Sequence, residues 1–303
     1  MESSPRVSSS QREFVMKGLK IPPLADVASY EMLEPAGESF GSHLKGIAFF
    51  LQAHQANGDA DGIKGAAYWT WYRHEIWAAL QTGRSMFLED NYWQPEPLDS
   101  FNGLPVEELA NRAIFLFGQC ISFCNKCTAA QGSDTDAKRN DQHNRAVALD
   151  AALERWRSLL PSSMAHFFAE RPPSADDRSS DFPFVWFIYP QSAIAYQVYH
   201  ASRILLRLHC PSVPSRSSGT DRVQSLSTRR EIEKSREQIF LVSNAGVADS
   251  WSLISTQCLF VAGLVTEGVL ERHHTLKLIE NCQRSSGRRT FCLADELRRL
   301  WAQ

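Results

Sequence analysis

Apolar positions in this chain recur at roughly three- to four-residue intervals within stretches separated by polar runs, a periodicity that predicts α-helices. Leu44, Ile47, Ala48 and Leu51 form the first such stripe, closed by Gly58. Trp69, Tyr72, Ile76 and Leu80 form the second; its helix is expected to stop at Gly83 and lead into a short extended arm closed by Trp93 and Pro95. A third helix is expected from Pro105, a residue suited to the first helical position, to about Ala130. Glu107 and Glu108 stand in its first turn, where the helix dipole favours acids. Leu149, Leu153, Trp156 and Leu160 set the next helix, stopped by Pro161, and Ile194, Val198, Ala201, Leu205 and Leu208 set another between Pro190 and Pro211. Thr228 and Glu231 read as a capping box ahead of 232–242, and segments 250–270, 276–282 and 293–301 complete the helical pattern.

Alternation of the strand type is scarce. The polar spacers 131–144, 171–182 and 212–227 read as surface loops, and no fixed-period repeat or domain boundary stands out. The expected architecture is all-α: a single irregular domain over 26–303 of roughly nine to eleven helices with polar loops, after a mobile polar tail over 1–25.

Composition narrows this picture. A chain of 303 residues with 43% hydrophobic content can bury a sizeable core without disulfides or metals. A formal charge of −2 leaves no net basic footprint for nucleic acid. The N-terminal stretch lacks the apolar run of a secretory signal, and the most apolar long segment, 251–270, is interrupted by Gln257 and Glu267 and falls short of a membrane span. An intracellular protein is expected. Its seven cysteines, an odd number, argue against a disulfide framework. Cys120, Cys124 and Cys127 contain a C-x-x-C, but they share a helical face with Leu109, Ala113 and Leu116, which makes them core side chains rather than zinc ligands.

Residues 57–62, NGDADG, imitate the first half of a calcium loop, yet its twelfth position is Tyr68 instead of a carboxylate, so a helix-ending turn is expected. Asp176, Asp177 and Asp181 raise the alternative of an Mg²⁺-dependent terpene synthase-like all-α enzyme. The surrounding Pro172, Pro173, Ser174 and Ser179 instead place these acids in a loop, and no second metal-binding set follows. His200 reads as a partly buried structural histidine, and the adjacent His273 and His274 point too far apart on a helix to share one metal. Arg229, Arg230, Lys234 and Arg236 interleave with Glu231, Glu233 and Glu237 and read as a solvent-facing helix. Arg73 and Glu75 flank the apolar stripe and suggest a packed ion pair with a neighbouring helix. No nucleophile elbow, P-loop or dinucleotide fingerprint occurs.

Two blocks carry a family resemblance. The first reads Ala67, Trp69, Tyr72, Arg73, Glu75, Ile76, Ala78, Leu80, Arg84, Leu88 and Trp93. The second reads Phe182, Pro183, Trp186, Tyr199, His200, Ala201, Leu205, Leu206 and Pro211. With Trp156 and Pro161 before the second block and Leu297 and Trp301 at the end, the chain resembles the helical regulatory domain of fungal Zn₂Cys₆ transcription factors of the ARCA-like type. Arg288 and Arg289 depart from that pattern, and no cysteine precedes Cys120, so the zinc-cluster DNA-binding module has no counterpart here.

The resemblance implies a nuclear, non-catalytic transcription regulator acting on a metabolic or secondary-metabolite gene set, truncated at its N-terminus and without direct DNA contact. It implies no cofactor, since zinc belongs to the absent module. The partners it implies are the transcription machinery, a full-length relative in a homo- or heterodimer, and a small-molecule effector. Trp69, Trp77, Phe115 and Trp186 are aromatic candidates for lining an effector cavity. No catalytic, cofactor or metal residue is assigned.

Overall fold

The computed structural model describes residues 42–129, 136–169, 184–209, 218–286 and 291–302, and these form an all-α protein. Among the described residues there are nine α-helices: α1 (Ser42–Ala53), α2 (Gly62–Thr82), α3 (Val106–Ala129), α4 (Asp136–Ser158), α5 (Pro190–His209), α6 (Ser218–Ala245), α7 (Ser252–Leu264), α8 (Val269–Ser286) and α9 (Phe291–Trp301). Short 3₁₀ turns at Ser162–Met164 and Asp249–Trp251 join them. Between α4 and α5 two short antiparallel strands, β1 (His166–Ala169) and β2 (Phe184–Phe187), pair Phe167 with Trp186 and Phe168 with Val185. No described helix is long and apolar enough to cross a membrane.

The central helix is α5, which packs on α3, α4, α6 and α7. Its small residues Ala193, Ala195, Ala201 and Ser202 are buried beside Ile194, Val198, Ile204 and Leu206, so neighbouring helices approach it from several sides. One continuous apolar cluster runs from Leu44 on α1 to Leu297 on α9. Burial of that surface is the main stabilising contribution.

Several aromatic residues pack their rings into this cluster and send their polar tips to backbone carbonyls, which satisfies groups that burial would otherwise penalise; the buried Trp77 Nε1 has no such partner among the described residues. Trp71 Nε1 donates to the Leu44 carbonyl of α1 (2.9 Å), and Tyr72 Oη to that of Phe115 on α3 (2.9 Å). Trp156 Nε1 likewise reaches Leu109 (3.0 Å) and Trp301 Nε1 reaches Gly263 at the end of α7 (3.0 Å). The arm after Gly83 folds back over α2, with Tyr92 Oη donating to the Leu51 and Ala56 carbonyls and the Trp93 indole packed on Tyr68, Trp69 and Phe115. Gly58 is required there: a Cβ would stand 2.2 Å from the Trp93 ring.

Several boundaries differ from the sequence expectation. The buried face of α2 is broader than one stripe: Tyr68, Trp71, Tyr72, Glu75, Ile76 and Trp77 are buried, whereas Trp69 and Leu80 lie at its margin, because α1, α3, α7 and the returning arm all cover this helix. Helix α4 begins inside the expected loop 131–144, and α6 begins inside 212–227. Thr228 and Glu231 are therefore interior to α6 and cap nothing. The expected helix 250–270 is two helices broken after Leu264, where Arg272 Nε takes the Thr266 carbonyl and Trp301 takes Gly263. That break leaves Val269 and Leu270 largely exposed.

Candidate functional site

The most specific polar geometry lies at the end of α2. Gly83 adopts a left-handed conformation (φ 65°) and its N–H bonds the Ala79 carbonyl, so the helix stops and the chain turns back on itself. That reversal brings the Arg84 guanidinium onto Glu75 in a two-pronged ion pair, Nη1 to Oε1 at 2.6 Å and Nη2 to Oε2 at 2.8 Å. The Phe87 backbone N–H adds a third donor at 2.7 Å, and the guanidinium lies over the Phe87 ring at 3.8 Å. Asn125 of α3 locks the turn by donating to the Ala79 and Arg84 carbonyls.

Glu75 has no exposed surface. Its burial pushes the carboxyl above the usual range, and Arg84 and the Phe87 N–H work against that rise. A carboxylate enclosed by three donors cannot reach a substrate proton, so its chemistry is that of a joint between helix and arm. The expected ion pair from Arg73 and Glu75 to a neighbouring helix is corrected here: Glu75 takes its cation, Arg84, from the arm just beyond its own helix. Arg73 instead donates to Asn111 of α3 (2.6 Å) and stacks over Trp251 at 4.9 Å.

A second polar constellation binds α4, α5 and α6 together. Arg203 pairs with Glu154 and Glu231, and Arg207 with Asp150 (3.0 Å) and Glu231 (2.8 Å). Tyr199 Oη donates to Glu154 at 2.8 Å. Burial works against ionisation of Glu231, but Arg207 and Arg203 overcome it and hold the carboxyl below its usual range. Lys234 and Arg236 follow Glu231 on α6. Arg236, unlike the expected solvent-facing residue, is buried and pairs with Glu271 of α8 at 2.9 Å.

Cys120, Cys124 and Cys258 are buried, and burial pushes the Cys120 thiol up to about 12, which keeps it protonated and unreactive. Within the calcium-like segment, Asn57 Oδ1 accepts the Asp59 N–H and Asp59 Oδ2 accepts the Trp93 indole N–H (2.8 Å), so these oxygens serve the turn. His200 sits on α5 with Nδ1 3.4 Å from Ser235 Oγ of α6, its ring against Tyr199. His274 Nε2 lies 2.9 Å from Asn244 Oδ1. Among the described residues no three His, Cys, Asp or Glu side chains stand together as a metal site. Asp176, Asp177 and Asp181 lie outside the described residues.

The four aromatic candidates for a cavity lining do not converge. Trp69 and Phe115 both meet Trp93, while Trp77 is buried on α2 and Trp186 stands 60% exposed on the hairpin that packs against α5 and α6. What sequence reasoning missed is Arg84 as the partner of Glu75. The signal was present, since an acid in the middle of an apolar helix needs a cation, and Arg84 is the first residue beyond the glycine stop.

No protein-family model matches the chain, and neither a curated protein nor a solved structure matches it.

Proposed function

We propose that this chain is a regulatory, non-catalytic helical domain of the kind found in fungal Zn₂Cys₆ transcription factors. It acts in the nucleus, through the transcription machinery or a full-length relative, on a metabolic or secondary-metabolite gene set. The observation that carries the reading is the physical interdependence of the residues on which the resemblance rests. Glu75 and Arg84 form one buried joint, Tyr72 and Trp93 both pack on Phe115, and Leu297 and Trp301 close on Gly263 at the far end of the chain. Residue types that recur together because they hold a helical scaffold fit a domain that works by shape and contact. The proposal assigns no DNA contact to this chain.

Regulation by such a domain requires a partner or effector that binds two of its conformations unequally. The direct test tethers the chain to a heterologous DNA-binding domain at a reporter promoter. The expected result is reporter output that differs about fivefold or more from the DNA-binding domain alone, the lower end of ordinary coupling energies. Output equal to that of the DNA-binding domain alone, from a fusion shown to be folded and nuclear, overturns the proposal.

A further inference from the structure

Arg157, in the last turn of α4, stands apart from the other arginines of its neighbourhood. Arg155, Arg203 and Arg207 each pair with a carboxylate, and the acids Asp150, Glu154 and Glu231 are all engaged by Arg203 and Arg207. Half-buried Arg157 instead stacks its guanidinium over the Tyr196 ring, 4.7 Å from the centroid. Among the described residues neither Arg157 nor Lys234 has a carboxylate within 4.0 Å.

The groups around Arg157 come from four elements. His166 of β1 meets Tyr196 edge-on at 5.5 Å and Phe187 of β2 at 5.8 Å, and Phe187 meets Tyr196 at 5.5 Å. One turn further along α5, His200 lies against Tyr199 (4.9 Å) and beside Ser235 of α6, with the exposed Lys234 next to that serine. The charged and titratable groups facing this cluster are therefore Arg157, Asp150 and Glu154 from α4, and His166 from the hairpin. From α5 come Tyr196, Tyr199, His200, Arg203 and Arg207, and from α6 Glu231 and Lys234. All three acids already hold arginines.

We propose that Arg157, Lys234, His166 and His200 form an oxyanion-binding site for a small organic carboxylate with an apolar body. A guanidinium stacked on a ring keeps its in-plane N–H edge free, and that edge matches the two oxygens of a carboxylate. Tyr196 is buried, so an apolar ligand body would rest on the half-buried Phe187 ring, where a phosphate dianion loses more hydration. The field there is positive: burial, then the charges of Arg157, Lys234 and His166, push His200 down to about 3. A bound anion offsets those charges, so it raises the proton affinity of His200 and binds more tightly as pH falls. This site stands independently of the regulatory reading, and binding is read without any transcriptional output.

The test is titration of the purified full chain with benzoate and, separately, inorganic phosphate, followed by NMR of isotope-labelled histidine rings. Saturable benzoate shifts at His166 and His200 are expected, tighter at pH 5 than at pH 7 as His200 approaches its titration range, and weakened about tenfold or more in Arg157→Gln, the loss typical of a charged hydrogen bond. Lys234→Gln, at an exposed position that folding tolerates, is expected to weaken binding several-fold, and Arg229→Gln, an exposed arginine paired with Glu267, to leave it unchanged. Absence of saturation, equal binding by Arg157→Gln and Lys234→Gln, or saturation by phosphate alone overturns the proposal.

Discussion

Glu75 remains on a buried face because three donors reach its two oxygens, and the asymmetry of its pair with Arg84 makes a prediction. The guanidinium keeps 23% of its side-chain surface exposed while the carboxylate keeps none. Losing Arg84 therefore strands a buried charge, whereas losing the carboxylate leaves a cation that water can still reach. Arg84→Met is expected to cost about 3 kcal/mol at pH 7, near the lower end for breaking a buried pair, and Glu75→Gln about 1–2 kcal/mol. The folded-state pKa of Glu75 is raised, so its stabilising contribution is fully present below the unfolded value and declines as pH rises through the folded one. The Arg84→Met deficit should therefore shrink on acidification from pH 7, which urea unfolding at several pH values measures.

His200 runs the other way. Its folded pKa is depressed from 6.5 to about 3, so the unfolded chain gains a proton that the folded chain refuses, and stability falls with pH across that window. The slope from this residue is at most about 1.4 kcal/mol per pH unit. His200→Gln should flatten the acid side of the stability profile between pH 6 and 4. An unchanged slope would mean that His200 is not held neutral by its surroundings.

At the level of elements, the crossing of α2 over α3 depends on Gly118. A Cβ there would meet the Tyr72 hydroxyl at 2.4 Å, and that hydroxyl is fixed by its bond to the Phe115 carbonyl. Gly118→Ala gains about 1 kcal/mol of helix propensity but forces overpacking, so a net loss of about 1–2 kcal/mol is expected. Tyr72→Phe should relieve part of that clash, making the double variant less damaged than the two single losses predict; denaturant midpoints of the four proteins decide this.

The helices themselves were unequally legible. Helices α3 and α5 follow from Pro105 and Pro190 and from an apolar period that packing on both sides sustains. The first turns of α4, residues 136–144, gave no such signal, because a helix polar all round has no period to read. Thr228 and Glu231 matched a capping box by spacing alone, and Glu231 serves Arg203 and Arg207 instead. The hairpin was missed because each strand is four residues long and their pairing bridges residues far apart in the chain. Of the polar sites, the Glu75 joint was half legible: the acid was noticed, but its partner depends on the backbone reversal at Gly83. The cluster around Arg157 depends on tertiary packing of four elements and leaves no local pattern.

Across the whole molecule, one apolar cluster joins the first described helix to the last, so the chain should lose its helices and its buried indoles together. Coincident unfolding curves from far-ultraviolet circular dichroism and tryptophan fluorescence are expected; two separated transitions would divide the core. A scaffold that regulates by contact also predicts how function follows stability. The most direct test measures tethered reporter output and folded fraction together for the wild-type chain, Glu75→Gln, Arg84→Met and Gly118→Ala. The account predicts that output per folded molecule stays constant across the series, and a fully folded Glu75→Gln protein with abolished output would contradict it.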